Sequence, residues 1–288
     1  MSEVSAPPPK TTAVDTKDRY LDLLKKSLSD LLNVGSVQIT PYAPGQGKFY
    51  KRWGINWLVN FLAKKKIRMV MESETAIDQL KEGIGWPVNG LTMVGMKRLN
   101  NIQFCVEDVL KNKVPGDMIE TGVWRGGSVI FIKAILDLYN EKDRKVWVAD
   151  SFEGLPAPDE DLYPEDAGDD LYTVEQLRVT KEQVEHNFRK YGVLDDNVKF
   201  LKGWFKDTLP TAPIERLSVI RLDGDMYEST MDGLVNLYHK LSPGGYIIID
   251  DYGFIPACAK AVQDFREAHG ITEEIIEIDK SGVYWKKR

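Results

Sequence analysis

The feature that most constrains this chain is an alternation that begins at Asp117 and continues to the end. Short, apolar, β-branched runs take turns with longer segments whose apolar residues recur at helical spacing. "DMIET", "KVWVADSF", "NVKFLKG", "LSVIRLDGD" and "GGYIIIDDYG" read as strands. "GSVIFIKAILDLYN", "TKEQVEHNFRKYG", "STMDGLVNLYHKL" and "IPACAKAVQDFREAHG" read as helices. Strands that are apolar throughout and separated by helices need cover on both faces. The expected fold is therefore α/β, a mainly parallel sheet between helical layers. "EEIIEID" and "GVYWKK" should close the chain as an antiparallel hairpin on one edge.

Upstream, "RYLDLLKKSLSDLL" (Arg19 to Leu32) spaces its leucines as an amphipathic helix. "MKRLNNIQFCVEDVLKNKVPG" is a second helix, stopped by Pro115 and Gly116. Between them lies an aromatic stretch with turn signals, including Phe49, Tyr50, Trp53 and Trp57. The lysines at 64 to 66 read as a solvated helix end. The expected division is a disordered leader over 1–18, a helical or lid region over 19–90, and a main domain over 91–288.

Composition narrows the function classes. A net charge of −6 argues against a nucleic-acid partner. The two cysteines, Cys105 and Cys258, lack the spacing of a zinc site or a disulfide framework. The three histidines (His186, His239, His269) form no metal-ligand pair, and His186 reads as a partly buried structural residue. Nothing reaches the apolar length of a membrane span, and the N-terminal residues lack the apolar core of a secretory signal. The expectation is a cytoplasmic protein with neither a membrane nor a nucleic-acid partner.

In an open parallel sheet, ligands bind beyond the carboxyl ends of the strands, where the strand order reverses. "DMIETGVWRGGSV" is the first strand, loop and helix of the series. Gly122, Gly126 and Gly127 either form a tight turn or bring backbone N–H groups to a ligand at a helix N-terminus, with Ser128 as a further donor. The spacing is not G-x-G-x-x-G. Glu120 stands at the strand end, where it would repel a pyrophosphate but could accept from an ammonium or a hydroxyl. Asp150, at the end of the next strand, suits a ribose diol or a helix cap. Trp204 could stack on a flat base or fill the core. The acids after the last two buried strands, Asp223, Asp225, Asp250 and Asp251, would crowd one sheet edge. They would raise one another's pKa unless a cation were present. All-oxygen ligands favour Mg²⁺ or a similar ion. The segment from Asp159 to Asp170 reads as a solvated acidic loop, or a lid.

Several blocks in order, "PGDMIETGVWRGGS", "VWVADSFEGLP", "RKYGVLDDNVKFLKGWFKDTLP", "RLDGDMYESTMDGL" and "LSPGGYIIIDDYG", resemble the macrocin O-methyltransferase family. The likeness runs from about Thr92 to Arg288. It implies a Rossmann-like class I methyltransferase fold that uses S-adenosylmethionine and Mg²⁺ to methylate a sugar hydroxyl of a macrolide-like natural product. By this likeness Glu120, Gly122 and Ser128 hold the methionine end of the cofactor. Thr121 and Gly126 share that loop, with Thr92 and Met93 nearby. Asp150 and Ser151 take the ribose, and Gly203 and Trp204 line the adenine. Asp223, Asp250 and Asp251 match the family's metal ligands, and Asp223 its general base. Asp225 or water remains a candidate for proton removal, because a metal-bound carboxylate is a weakened base. Asp250 and Asp251 would point to opposite faces of a regular strand, so both can ligate only if the chain turns there.

The acceptor is then a small-molecule glycoside, and a homo-oligomer, dimer or higher, is expected. Three other readings compete. A catechol-type O-methyltransferase would take a flat aromatic diol. A metal-dependent glycosyltransferase would use Asp223-Gly224-Asp225 as its D-x-D motif. A non-catalytic binding protein would have little use for four acids at one edge.

Overall fold

The alternation is realised as a seven-stranded sheet. The computed structural model describes residues 15–33, 38–41, 57–62, 64–65, 67, 70–73 and 77–288. Most of the expected leader lies outside them, as do Phe49, Tyr50, Trp53 and Lys66. Strands β1 (Gln38–Pro41) and β2 (Val70–Ser73) pair antiparallel as a separate ribbon. The main sheet comprises β3 (Asp117–Thr121), β4 (Val146–Asp150), β5 (Val198–Lys202), β6 (Leu217–Leu222), β7 (Leu241–Ile249), β8 (Ile276–Glu277) and β9 (Val283–Lys286). Its order is β5-β4-β3-β6-β7-β9-β8. The first five of these strands are parallel, and β9 runs antiparallel to both β7 and β8, giving the expected hairpin edge. The chain builds outward from β3 through β4 to β5, then returns to β6 on the other side of β3. That reversal opens a crevice beyond the ends of β3 and β6.

Alternation along each strand divides the core into two layers. Met118, Val148, Val219 and Ile248 pack with residues of the helices Thr16–Leu28, Met96–Lys111 and Gly127–Leu138. Ile119, Trp147, Ile220 and Ile247 pack with residues of Tyr227–Leu237 and Pro256–Ala268. Each fully buried aliphatic side chain contributes about 1.5–3 kcal/mol, which holds the strand ends in fixed register.

Local chemistry sets the helix limits. The first helix starts earlier than its leucines indicate because the Asp15 side chain caps it, accepting from the Lys17 N–H. It stops at Leu28 because Asp30 turns left-handed at φ 66. Thr180 and Gln183 form the capping box that starts Lys181–Lys190. His186 on that helix is exposed rather than partly buried. Lys64 and Lys65, just beyond the helical residues 57–62, are exposed. No helix among the described residues is long and apolar enough to cross a membrane.

Candidate active site

At the end of β3 the backbone of Gly122 (φ 78) lies against the carbonyl oxygen of Asp223, just past β6; an added Cβ would overlap that oxygen. At Gly126 (φ 87) a Cβ would lie 2.9 Å from Val184 Cγ1. The Gly127 N–H donates to the Leu91 carbonyl at 2.8 Å. The room these glycines make is thus taken by the chain itself. They let the loops after β3 and β6 close on each other at the switch point, and they seat the segment around Leu91 against the helix that follows.

The crevice is lined by Met93, Gly122, Trp124, Asp150, Ser151, Trp204, Asp223 and Asp225, among others. These come from the segment before helix Met96–Lys111 and from the ends of β3, β4, β5 and β6. Of the other expected cofactor residues, Thr92 and Ser128 are buried and share a hydrogen bond of 3.0 Å between their hydroxyls. Glu120, Thr121, Gly126 and Gly203 lie outside the lining. Asp150 organises the glycine loop: one carboxylate oxygen accepts from the Val123 N–H at 2.8 Å, the other from the Phe152 N–H at 2.7 Å. Burial raises its pKa, and these N–H groups pull it back. Ser151 donates to the Gly154 carbonyl at 2.6 Å. Three non-glycine residues past strand ends, Trp124 (φ 47), Phe152 (φ 58) and Asp225 (φ 59), adopt left-handed backbone. Such strain persists only where surrounding structure enforces it.

The acid edge is organised by arginines that the sequence reading did not single out. Carboxylate oxygens of Asp223, Asp225 and Asp251 lie within 4.8 Å of one another, close enough to share one cation. Asp250, expected as a ligand beside Asp223 and Asp251, stands outside that group. Its Oδ1 accepts from Arg221 and its Oδ2 from Arg98. Both acids lie in the bend just past β7, with Asp250 on the arginine side. Arg221, fully buried, also binds Glu120 Oε1 and, at 2.8 Å, Asp223 Oδ2. Glu120 Oε2 is buried with no partner among the described residues. An arginine inside the apolar run "LSVIRL" was the signal available for Arg221. Arg98 resembles a helix-surface residue and gave none.

Crowding shows in the electrostatics. Burial raises the Glu120 pKa to about 8, against the pull of Arg221. Burial and the Asp250 charge raise Asp223 to about 6. Burial with Asp223, Asp250 and Asp169 raises Asp225 to about 8. Asp251 is pushed well above the carboxylate range by burial and then by Asp225 and Asp223. Burial also acts on Asp250, but its two arginines hold it below the usual value. The edge is a set of carboxylates whose ionised form a bound divalent cation would favour, so the donors fit Mg²⁺.

The acidic segment read as solvated is anchored at one residue. Asp166, 2% exposed, accepts from the N–H groups of Tyr227 and Glu228 at 2.6 and 3.0 Å, capping helix Tyr227–Leu237. Further along, the Trp124 indole N–H donates to the Gln176 carbonyl at 2.9 Å, and Leu155, Pro156 and Leu177 line the crevice.

Comparisons with known proteins agree with this geometry. The family model described as Macrocin-O-methyltransferase (TylF) matches residues 17–287, so the family pattern also covers the region ahead of Thr92. Mycinamicin III 3''-O-methyltransferase of Micromonospora griseorubida is 52% identical over 271 residues, covering 93% of this chain and 96% of the relative. The 8-demethyl-8-(2,3-dimethoxy-alpha-L-rhamnosyl)-tetracenomycin-C 4'-O-methyltransferase of Streptomyces olivaceus is 49% identical over 273 residues, 94% of each chain. The solved structure of the O-methyltransferase NovP superposes with a TM-score of 0.79 at 44% identity, covering 94% of this chain and 98% of that one. With its seven-stranded sheet, its switch-point crevice and a family match over nearly its whole length, this chain belongs to the macrocin O-methyltransferase family.

Proposed function

We propose that this O-methyltransferase uses S-adenosylmethionine and Mg²⁺ to methylate a sugar hydroxyl of a glycosylated, macrolide-like natural product. The carrying observation is the convergence of Asp251 with Asp223 and Asp225, the two acids that line the crevice. Two relatives support the acceptor class: one is named for a 3'' oxygen of a mycinamicin, the other for a rhamnosyl tetracenomycin. Family membership decides against the glycosyltransferase and non-catalytic readings.

When bound, the cofactor supplies an activated sulfonium methyl and the ion lowers the pKa of an acceptor hydroxyl and orients it. The chain's part is to hold, align and accept a proton. Asp150 and Ser151 face the crevice where a ribose diol would lie, Trp204 forms a wall suited to adenine, and Met93 and Gly122 complete the lining. Buried Glu120, whose Oε2 has no partner among the described residues, would accept from an amino-acid ammonium behind Gly122. Asp223, Asp225 and Asp251 would hold the ion. Arg221 fixes Asp223 through Oδ2, and Asp223 would also take the acceptor proton. Asp225 is the alternative base. The chain acts as a homo-oligomer in this proposal, which sedimentation velocity checks.

The test is methyl transfer on a panel of deoxysugar glycosides and catechols, read by mass spectrometry, with Mg²⁺ and with EDTA. One methyl gained on a glycoside, only with Mg²⁺, is the expected result. Transfer to catechols alone would move the acceptor to aromatic diols, and transfer indifferent to EDTA would remove the metal.

A further inference from the structure

We propose that Arg98 is a positioning residue for the divalent-cation site, fixing the direction of Asp251 without touching the ion. This rests on the metal reading above. Arg98 lies in the first turn of helix Met96–Lys111 and is 5% exposed. Its guanidinium is used on three sides. Nη1 donates to Asp250 Oδ2, Nε to Asp279 Oδ2 at 3.1 Å, and Nη2 to the Gly83 carbonyl at 2.9 Å. Two glycines accommodate it. A Cβ at Gly282 would lie 2.9 Å from its Cδ, and one at Gly83 would overlap Nη2. The chain has built a passage for this side chain, joining helix Ile77–Glu82, the end of β7 and the loop before β9.

That passage brackets Asp251. Asp250 precedes it, held by Arg98 on one oxygen and Arg221 on the other. The Asp250 carbonyl accepts from the Ser281 hydroxyl at 2.6 Å, and the Gly253 N–H donates to the Ser281 carbonyl at 2.8 Å. Ser281 in turn donates its N–H to Asp279 Oδ1 at 2.9 Å, on the carboxylate Arg98 holds. Arg98 thus reaches the backbone on both sides of Asp251 by two routes, through Asp250 and through Asp279 with Ser281. Groups that orient metal ligands from behind are worth about 10–100-fold in metal affinity. A lysine carries one point charge and cannot serve three diverging acceptors at once.

The experiment measures Mn²⁺ binding to the full chain by electron paramagnetic resonance of the free ion, with S-adenosylhomocysteine affinity by calorimetry and thermal unfolding alongside. Arg98→Lys should weaken Mn²⁺ binding about 10–100-fold and leave S-adenosylhomocysteine affinity within about twofold. A folded Arg98→Lys protein with wild-type Mn²⁺ affinity overturns the inference, since a purely structural ion pair would lower stability alone. Should Arg98→Lys not fold, Asp279→Asn decides. Its Oδ1 keeps the loop bonds while the charge link to Arg98 is cut, so unchanged Mn²⁺ affinity overturns the inference and a several-fold loss upholds it. If the unaltered protein binds no Mn²⁺, the metal reading itself falls and this inference falls with it. Wild-type binding retained in the variants removes the inference alone.

Discussion

Asp250 and Asp251 are consecutive in sequence but belong to different electrostatic environments: Asp250 is clasped by Arg98 and Arg221, and Asp251 joins the carboxylates of Asp223 and Asp225. The two acids should therefore respond in opposite ways to the same substitution. Asp250→Asn strips the charge facing two buried guanidiniums, a change that costs about 3–5 kcal/mol when one partner of a buried pair is removed. Asp251→Asn removes one of several mutually repelling acids, and in EDTA it should leave the unfolding temperature unchanged or raise it. With Mg²⁺ present the order of consequence reverses for function: Asp251→Asn loses metal binding and turnover. Thermal unfolding in EDTA, paired with Mn²⁺ binding, checks both halves. A destabilised Asp251→Asn would contradict the crowding argument.

Asp223→Asn should lower kcat by about 10²–10⁴-fold, the range of a lost general base, with S-adenosylhomocysteine affinity preserved. The asparagine keeps an oxygen that Arg221 can bond, but it loses both the proton acceptor and one carboxylate of the metal group, so Mn²⁺ affinity should fall as well. Steady-state kinetics on the same acceptor with Asp225→Asn separates the two candidates. A larger kcat loss for Asp225→Asn, at equal metal occupancy, would transfer the base to Asp225.

The sheet was legible because most strands from β3 to β7 are apolar runs with helix-periodic segments beside them; β5, with Lys199 and Lys202, is the exception. The acid edge was legible because Asp223, Asp225, Asp250 and Asp251 stand immediately after two buried strands, where side chains reach the crevice. What the sequence withheld is pairing across elements. Arg98 is separated from Asp250 by 152 positions and from Asp279 by 181, and no local periodicity encodes such a contact. Asp166 was hidden for the same reason. It lies in a polar, acidic run, and only the approach of helix Tyr227–Leu237 makes it a buried cap. The glycines were visible, but their cause was not, because the atoms they avoid belong to Asp223, Val184 and Leu91.

Gly122→Ala puts that last point to the test. The new methyl would meet the Asp223 carbonyl, and the residue would keep a φ of 78 that side chains resist. Strain of this type alone costs about 1–3 kcal/mol, and the overlap adds to it by forcing the loops after β3 and β6 apart. Gly192, at φ 71 with open space around it, carries the strain without the overlap. Gly122→Ala should thus lose clearly more stability than Gly192→Ala and should also weaken S-adenosylhomocysteine binding, which Gly192→Ala should spare. Equal losses of stability in both, with cofactor affinity intact, would mean that the contact with Asp223 is not what requires the glycine.

The raised acids also set a pH dependence whose sign is fixed. In the folded chain Asp223 titrates near about 6, and Asp225 and Glu120 near about 8. Unfolded aspartate and glutamate titrate near about 4. Between these limits the folded state binds more protons than the unfolded state, so stability falls as pH rises. The decline from these groups should span roughly pH 4 to 8 and then level, first through Asp223 and later through Asp225 and Glu120. A divalent cation binds the ionised carboxylates and competes with those protons, so the stabilisation it gives should grow over the same interval. At a concentration a hundredfold above its dissociation constant a ligand adds about 2.7 kcal/mol. Each kcal/mol is worth roughly 2–4 °C in domains of 150–250 residues. Unfolding scans from pH 5.5 to 8.5, in EDTA and in Mg²⁺, should show curves that separate by only a little at the acid end and by about 5 °C or more near pH 8. A Mg²⁺ increment that is constant across the range would mean that the ion binds acids already ionised at pH 5.5, and that Asp223 and Asp225 are not among them.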